Sequence, residues 1–306
     1  MSRTLVVAIT ALLLSGCWNS VTAPPDTPPQ DGSITAWGEN GRGECNVPEP
    51  NADFVSIAGG VELSMALRAD GSIAVWGWNI FGGCEVPEPN SGFIAVDGTL
   101  HVLGLRQDGS VVAWGANGQG QCDVPGPNEG FVAVAAGGDH SLGLREDGSI
   151  VAWGDNDSGQ CDVPGPNEGF VAVAAGEMHS LGLRQGGSIN AWGWDHYGQC
   201  QVPEPNEGFV AIACGAGHSL AIRDDGSVEA WGDNDEGQCD VPEPNEGFVS
   251  VDGGQDFSVG LKAEGTIVAW GTDDYDHGYL SGVPDPDSSF VAISAGHSHC
   301  LALRER

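Results

Sequence analysis

A Trp-Gly pair returns at Trp37, Trp76, Trp114, Trp153, Trp192, Trp231 and Trp270, at spacings of 39, 38, 39, 39, 39 and 39 residues. A Phe keeps the same step, at Phe54, Phe93, Phe131, Phe170, Phe209, Phe248 and Phe290. Such a period marks an array of supersecondary units, each too small to bury its own apolar face, so neighbours must stack. The unit at residues 131–169 reads FVAVAAGGDHSLGLREDGSIVAWGDNDSGQCDVPGPNEG. It divides into four β-prone runs, FVAVAA, HSLGLR, SIVAW and CDVP, separated by Gly, Asp, Asn and Pro. The Asp-Gly between the second and third runs, flanked by apolar residues, signals a hairpin. With 49 Gly and 18 Pro and a period-2 pattern, a helical repeat is excluded.

The two ends of the chain read as parts of one unit. Residues 31–38, DGSITAWG, match a third run, and the closing HSHCLALRER matches a second. Joined end to beginning, they rebuild the inner LREDGSIVAWG, cut at the hairpin. The expected fold is all-β: a seven-bladed β-propeller of four-stranded antiparallel blades, closed by pairing N-terminal and C-terminal strands in one blade, which leaves no open edge. In WGANGQGQ (114–121), WGDNDSGQ (153–160) and GGDHSLGL (137–144) the units resemble the regulator of chromosome condensation repeat family, with its W-G-x-N-x-x-G-Q and G-x-x-H-[ST]-L-x-L signatures. The resemblance spans residues 31–306. It is nearest in style to bacterial secreted members, among them the propeller that inhibits β-lactamases by binding them, and so implies a binding module. A propeller hosts many unrelated activities, so the fold by itself names no function.

Charge narrows the choice. The chain carries 43 acidic and 10 basic side chains, a net of −33, which excludes attraction to nucleic acid phosphates or to an anionic lipid surface. The guanine nucleotide exchange and chromatin binding of the family's nuclear members are therefore not expected here. Seven of the cations, Arg68, Arg106, Arg145, Arg184, Arg223, Lys262 and Arg304, end the second run of each unit. The expected partner of this position is the acidic turn that follows.

Residues 1–16 read as an export signal: Arg3, then an apolar stretch from Leu5 to Leu14 too short for a permanent membrane span. Leu14-Ser15-Gly16-Cys17 resembles the lipobox of bacterial lipoproteins, in which the Cys is diacylated and becomes the new N-terminus. Residues 17–30 then form the lipidated Cys17 and a Pro-rich extended tether, and 31–306 the propeller. The expectation is a monomer anchored in a bacterial cell envelope, at the outer membrane or cell surface, touching the membrane only through its N-terminal lipid. Without acylation of Cys17 it is secreted.

Strand parity sorts the turns onto two faces. The Asp-Gly hairpins and the monotonous VPxPNxGF crossings share the bottom; the first-to-second and third-to-fourth turns share the top. The third-to-fourth turns vary sharply: GENGRGE, GWNIFGG, GANGQGQ, GDNDSGQ, GWDHYGQ, GDNDEGQ and GTDDYDHGYLS. They hold all three Tyr of the chain and, with Trp78 and Trp194, every propeller Trp outside the Trp-Gly position. Aromatics gathered in exposed turns point to binding, because Tyr and Trp dominate interface hot spots. Trp78, Phe81, Trp194, His196, Tyr197, Tyr275 and Tyr279 are the expected partner-binding residues, with a protein or a glycan as the partner.

Catalytic and metal motifs are weak beside this. His101, His140, His179, His218 and His299 occupy one repeat position, held by Leu63 and Phe257 in the other units. Ring-related copies do not converge on one reacting atom, so a structural hydrogen-bonding role is expected. His297, His299 and Cys300 offer zinc ligands without an evident fourth. Asp155-Asn156-Asp157-Ser158-Gly159 and Asp233-Asn234-Asp235-Glu236-Gly237 resemble the start of a calcium loop, but the Gly falls one place early and no Glu follows at the twelfth position; Asx turns explain them more simply. No cofactor and no catalytic residue are expected. The competing reading is an extracytoplasmic polysaccharide hydrolase or lyase at the top of the central channel, its carboxylates drawn from Asp195, Glu236, Asp274 and Asp276. Cys45, Cys84, Cys122, Cys161, Cys200 and Cys239 follow Trp by eight residues and are expected to be small, buried, reduced packing groups, with a Cys45–Cys300 disulfide across the closing blade as the specific alternative.

Overall fold

Apolar alternation turns the repeated runs into strands, and the Gly and Pro between them into turns. A computed structural model describes residues 32–272, 280, 282–284 and 290–305. The export signal, Cys17 and the tether lie outside the described residues, as do Tyr275 and Tyr279. Seven antiparallel sheets form, each of three strands. In one of them Phe170–Ala175, His179–Arg184 and Ile189–Gly193 are the inner, middle and outer strands. Blades are numbered by inner strand, from blade 1 at Phe54–Gly59 to blade 7 at Phe290–Ala295. Inner strands pack against those of both neighbouring blades, and blade 1 meets blade 7, which closes the ring. Ser33–Gly38 is the outer strand of blade 7, paired along its length with His299–Arg304 from the other end of the chain.

The expected fourth strand does not form. In the CDVP run Asp162 N–H donates to Gly159 O and Val163 N–H to Cys161 O, both at 3.0 Å, so the segment closes on itself, and the following Pro has no N–H to offer a ladder. A side chain takes the strand's place. Asn167 accepts from Ile150 N–H at 2.7 Å and donates to Ile150 O at 2.8 Å. Asn128 and Asn206 clasp Val111 and Ile189 in the same way. One amide carries the donor and acceptor of a strand residue, so it covers the outer edge where each clasp falls.

Packing between blades rests on the repeated aromatics. Phe170, Leu183 and Trp192 of blade 4 share a core with Phe209 and Trp231 of blade 5. The repeated cation also belongs to this framework, with a partner other than the expected acidic turn. Arg184 lies 4.2 Å above the Phe170 ring and donates to Pro166 O at 2.9 Å. Every blade repeats the stack, with Lys262 over Phe248 in blade 6. The acidic turn is self-contained instead: Asp147 accepts from both the N–H and the hydroxyl of Ser149. Among the described residues Arg223 makes this position's one ion pair, with Glu229 at 3.2 Å.

The two faces follow the expected parity. Asp155 N–H donates to Asp139 O and Trp194 N–H to Met178 O, tying each outer-strand exit loop to the inner-to-middle turn of its own blade on the top. Phe170 N–H donates to Gly148 O, tying crossing to hairpin on the bottom.

Candidate functional site

Most of the repeated polar pattern is consumed in holding blades together. His140 Nε2 lies 2.9 Å from Ser180 Oγ of the next blade. The Ser180 hydroxyl donates to Gln160 O at 2.9 Å, and Trp192 Nε1–H donates to the same carbonyl at 2.8 Å. The hydroxyl proton is thus committed, so Nε2 carries the imidazole proton and donates to Oγ. His-Ser, Gly-Gln and Trp-Gly, separate in sequence, are one inter-blade joint. The Ser–His pairs are not nucleophile and base: both side chains are fully buried and the Ser proton points at a backbone oxygen.

The exceptions obey the same logic. His101, His140, His179, His218 and His299 face Ser141, Ser180, Ser219, Ser258 and Ser64 of the following blade. Where the imidazole is missing, the next blade's serine is missing too. Val102 stands in the blade after Leu63, and Cys300 in the blade after Phe257. A lone buried hydroxyl or imidazole would cost more than a matched apolar pair.

Against this frame the top loops stand out. Trp78 and Phe81, in the exit loop of blade 1, meet edge to face with ring centroids 6.4 Å apart. The Arg42 guanidinium lies 4.9 Å over Trp78. Phe81 is 51% exposed and Ile80 beside it 57%. Three blades on, Trp194 stacks on His196 at 5.7 Å and meets Tyr197 edge-on at 5.2 Å. Tyr197 is 44% exposed. The described aromatics therefore form two separate clusters: one couples a cation to an apolar tip, the other is a stack of three rings. The Gln199 carboxamide fixes the second loop by accepting from Tyr197 N–H at 3.0 Å, and Asp195 does the same for Cys200 N–H at 2.9 Å.

Other sequence candidates resolve into local structure. Asp155 accepts from Asp157 N–H and Gln160 Nε2, and Asp233 from Asp235 N–H, which are Asx turns. Among the described residues no three His, Cys, Asp or Glu form a group able to hold a metal. His299, one of the suggested zinc ligands, has its Nε2 engaged by Ser64. Cys45 and Cys300 are separate thiols, so the alternative disulfide is not present. The six repeated cysteines are half-buried rather than buried. Cys161 Sγ donates to Asp155 O at 3.2 Å, and burial pushes its thiol up to about 11. Asp195 and Glu236 sit on exposed loop tips, and Asp274 and Asp276 lie outside the described residues.

Sequence reasoning named the top of the channel in its competing reading but missed the two acids in the channel wall. Its inner strands carry Asp97 and Asp252 at the position held by Ala58, Ala135, Ala174, Ala213 and Ser294 in the other blades. These two are the only charged residues of the inner strands, a signal that was available. Asp97 accepts from Ala136 N–H, and Asp252 from Ala295 N–H and the Ser294 hydroxyl, each on the following blade. Burial pushes the Asp97 carboxyl up to about 7 and that of Asp252 to about 6.

The chain is thus a closed propeller with a repeated joint between blades and variable loops on its top face. Residues 94–121, 131–160, 170–199 and 209–238 match the family described as the regulator of chromosome condensation (RCC1) repeat. These four units are RCC1 repeats, set in a seven-bladed propeller. It is similar to Prp20p of Saccharomyces cerevisiae, a structure reported with its binding properties to Gsp1p and histones, at 19% identity and a TM-score of 0.76 over 91% of this chain and 92% of that one. Yeast RCC1 (Prp20) bound to Kap60 gives 20% identity and a TM-score of 0.79 over 100% and 94% of the two chains. Human WBSCR16 gives 18% and 0.71 over 90% and 99%. No curated protein matches the chain by sequence.

Proposed function

We propose that this chain is an exported, lipid-anchored interaction module that grips a protein partner through the aromatic loops of its top face. The observation that carries this reading is the exposure of Ile80, Phe81 and Tyr197 in loops whose blade joints are satisfied without them. Exposed rings with no packing duty cost solubility unless something covers them. Prp20p, of similar fold, is reported with binding properties to Gsp1p and histones and in a complex with Kap60, which favours a protein over a glycan. Gly32 and Arg304, at or next to the described ends of the chain, lie on the bottom, so a lipid at Cys17 would direct the bottom to the membrane and the top outward.

A photo-cross-linking residue at Phe81 or Tyr197, exposed to envelope extract, is expected to trap one protein. The same group at Glu146, on a bottom hairpin, should trap none. Cross-linking from Glu146 alone, or to a polysaccharide, contradicts the reading. The anchor has its own test: the mature N-terminus should carry the mass of a diacylated Cys17, and Cys17→Ala should release the protein from the membrane fraction. An unmodified N-terminus in wild type rejects the anchor and leaves secretion.

A further inference from the structure

The channel along the propeller axis holds a cavity of about 400 Å³, lined by inner strands from all seven blades. That volume lies within the range of small-molecule sites, about 300–1,000 Å³. Its walls differ in chemistry. In blades 4 and 5 the inner strands are less buried than elsewhere, and Val173, Ala174, Ala175, Ile212 and Cys214 present a half-exposed, mostly apolar side. Asp97 of blade 2 and Asp252 of blade 6 belong to the same lining, and no Lys or Arg is among its described residues. The mouth adds Asp139, Asp155 and Glu177 from the top turns, together with His297.

Beside these partnered carboxylates, one polar group of the cavity has no partner among the described residues. Ser250, two residues before Asp252 and so on the same side of its strand, lines the cavity with a buried hydroxyl that makes no hydrogen bond among the described residues. Other blades carry Ser56 or Ala at this position. A buried hydroxyl left unmatched has lone pairs that can accept from a ligand N–H and a proton that can turn to a neighbouring acceptor.

We propose that the central channel binds a small aliphatic ammonium ion, its charge held between Asp97 and Asp252, with Ser250 accepting an N–H and the alkyl chain lying on blades 4 and 5. A hard metal ion needs six or more oxygen ligands and would find alanine for most of this wall. A neutral ligand would leave the two carboxylates of the lining uncompensated, and the Asp252 charge already raises the cost of ionising Asp97. An alkylammonium satisfies the charge and the apolar wall together. This site uses none of the aromatic loop residues, and its failure would leave the protein-binding reading untouched.

Isothermal titration with n-butylammonium chloride at pH 8 and low salt tests it. Wild type should bind one ion saturably, with n-butanol at least about tenfold weaker. Asp97→Asn and Asp252→Asn keep an acceptor for the Ala136 and Ala295 amides, so they should fold and lose at least about tenfold in affinity. Ala174→Leu, which fills the apolar wall, should lose binding without touching a carboxylate. Exposed Asp157→Asn should change nothing. No saturable heat with folded wild type, equal affinity in both Asn variants, or butanol binding as well as butylammonium would each overturn the proposal.

Discussion

Acidification from pH 6 to pH 5 is expected to lower the unfolding free energy by about 3–4 kcal/mol, through the five inter-blade joints. Burial pushes the imidazoles of His101 and His179 down to about 3 and those of His140, His218 and His299 to about 4. In the unfolded chain each titrates near 6.5 or so. A depressed folded pKa gives stability that is complete above about 6.5 and lost as pH falls toward 4. Asp97 and Asp252 act in the opposite sense. Raised to about 7 and about 6, they stabilise fully below the unfolded carboxylate value and lose that contribution as pH rises. Between pH 4.5 and 6, unfolding thus takes up roughly five protons at His and releases roughly two from Asp, a net of about three, each worth about 1.4 kcal/mol per pH unit.

The natural exceptions supply the variants that isolate this effect. His140→Leu with Ser180→Val copies the Leu63 and Val102 pairing already present between blades 1 and 2. Urea unfolding of the double variant should show the pH slope reduced by about 1.4 kcal/mol per unit, one His fewer. Ser180→Val alone strands a buried imidazole N–H and should cost about 1–3 kcal/mol at pH 7, more than the double change. A pH slope unchanged in the double variant would show that the acid sensitivity lies elsewhere.

Truncating Trp78, Phe81, Trp194 and Tyr197 together to Ala is expected to weaken partner binding at least about 100-fold while the fold persists. Hot-spot aromatics each contribute about 2 kcal/mol or more, and losses within one cluster do not add, so two clusters set the lower bound. Stability should move little. Phe81 and Tyr197 are exposed, and Trp78 and Trp194 are only half-buried at the rim. The contrast with the Trp-Gly position is sharp: Trp153 is 6% exposed and donates to Gln121 O at 2.8 Å. Trp153→Ala would cost about 3–5 kcal/mol and confound any binding result.

The propeller was legible because seven copies average out local ambiguity: Phe, His-Ser-Leu, Asp-Gly and Trp-Gly recur in phase, and ring closure follows from the split unit at the ends. The fourth strand misled because CDVP has β-prone residues. Its failure depends on Asn167, five residues beyond the Asp162 turn, supplying the edge bonds from a side chain. The repeated Arg misled for a related reason. Its nearest acid in sequence is the following turn, but the geometry of the middle strand sets it over the Phe of its own blade. The His role was readable from its replacement by Leu63 and Phe257, whereas the matching losses of serine, at Val102 and Cys300, make sense only once neighbouring blades are placed side by side. Asp97 and Asp252 were visible as charges in Ala-rich runs, but sequence does not say that the fifth position of an inner strand faces a shared channel.

The central claim separates framework from recognition, and one paired measurement tests it: affinity for the cross-linked partner and melting temperature, both on wild type and on the four-aromatic alanine variant. The variant should melt within a few degrees of wild type and bind at least about 100-fold more weakly. Equal affinity at an unchanged melting temperature would contradict the claim and move recognition off the top loops.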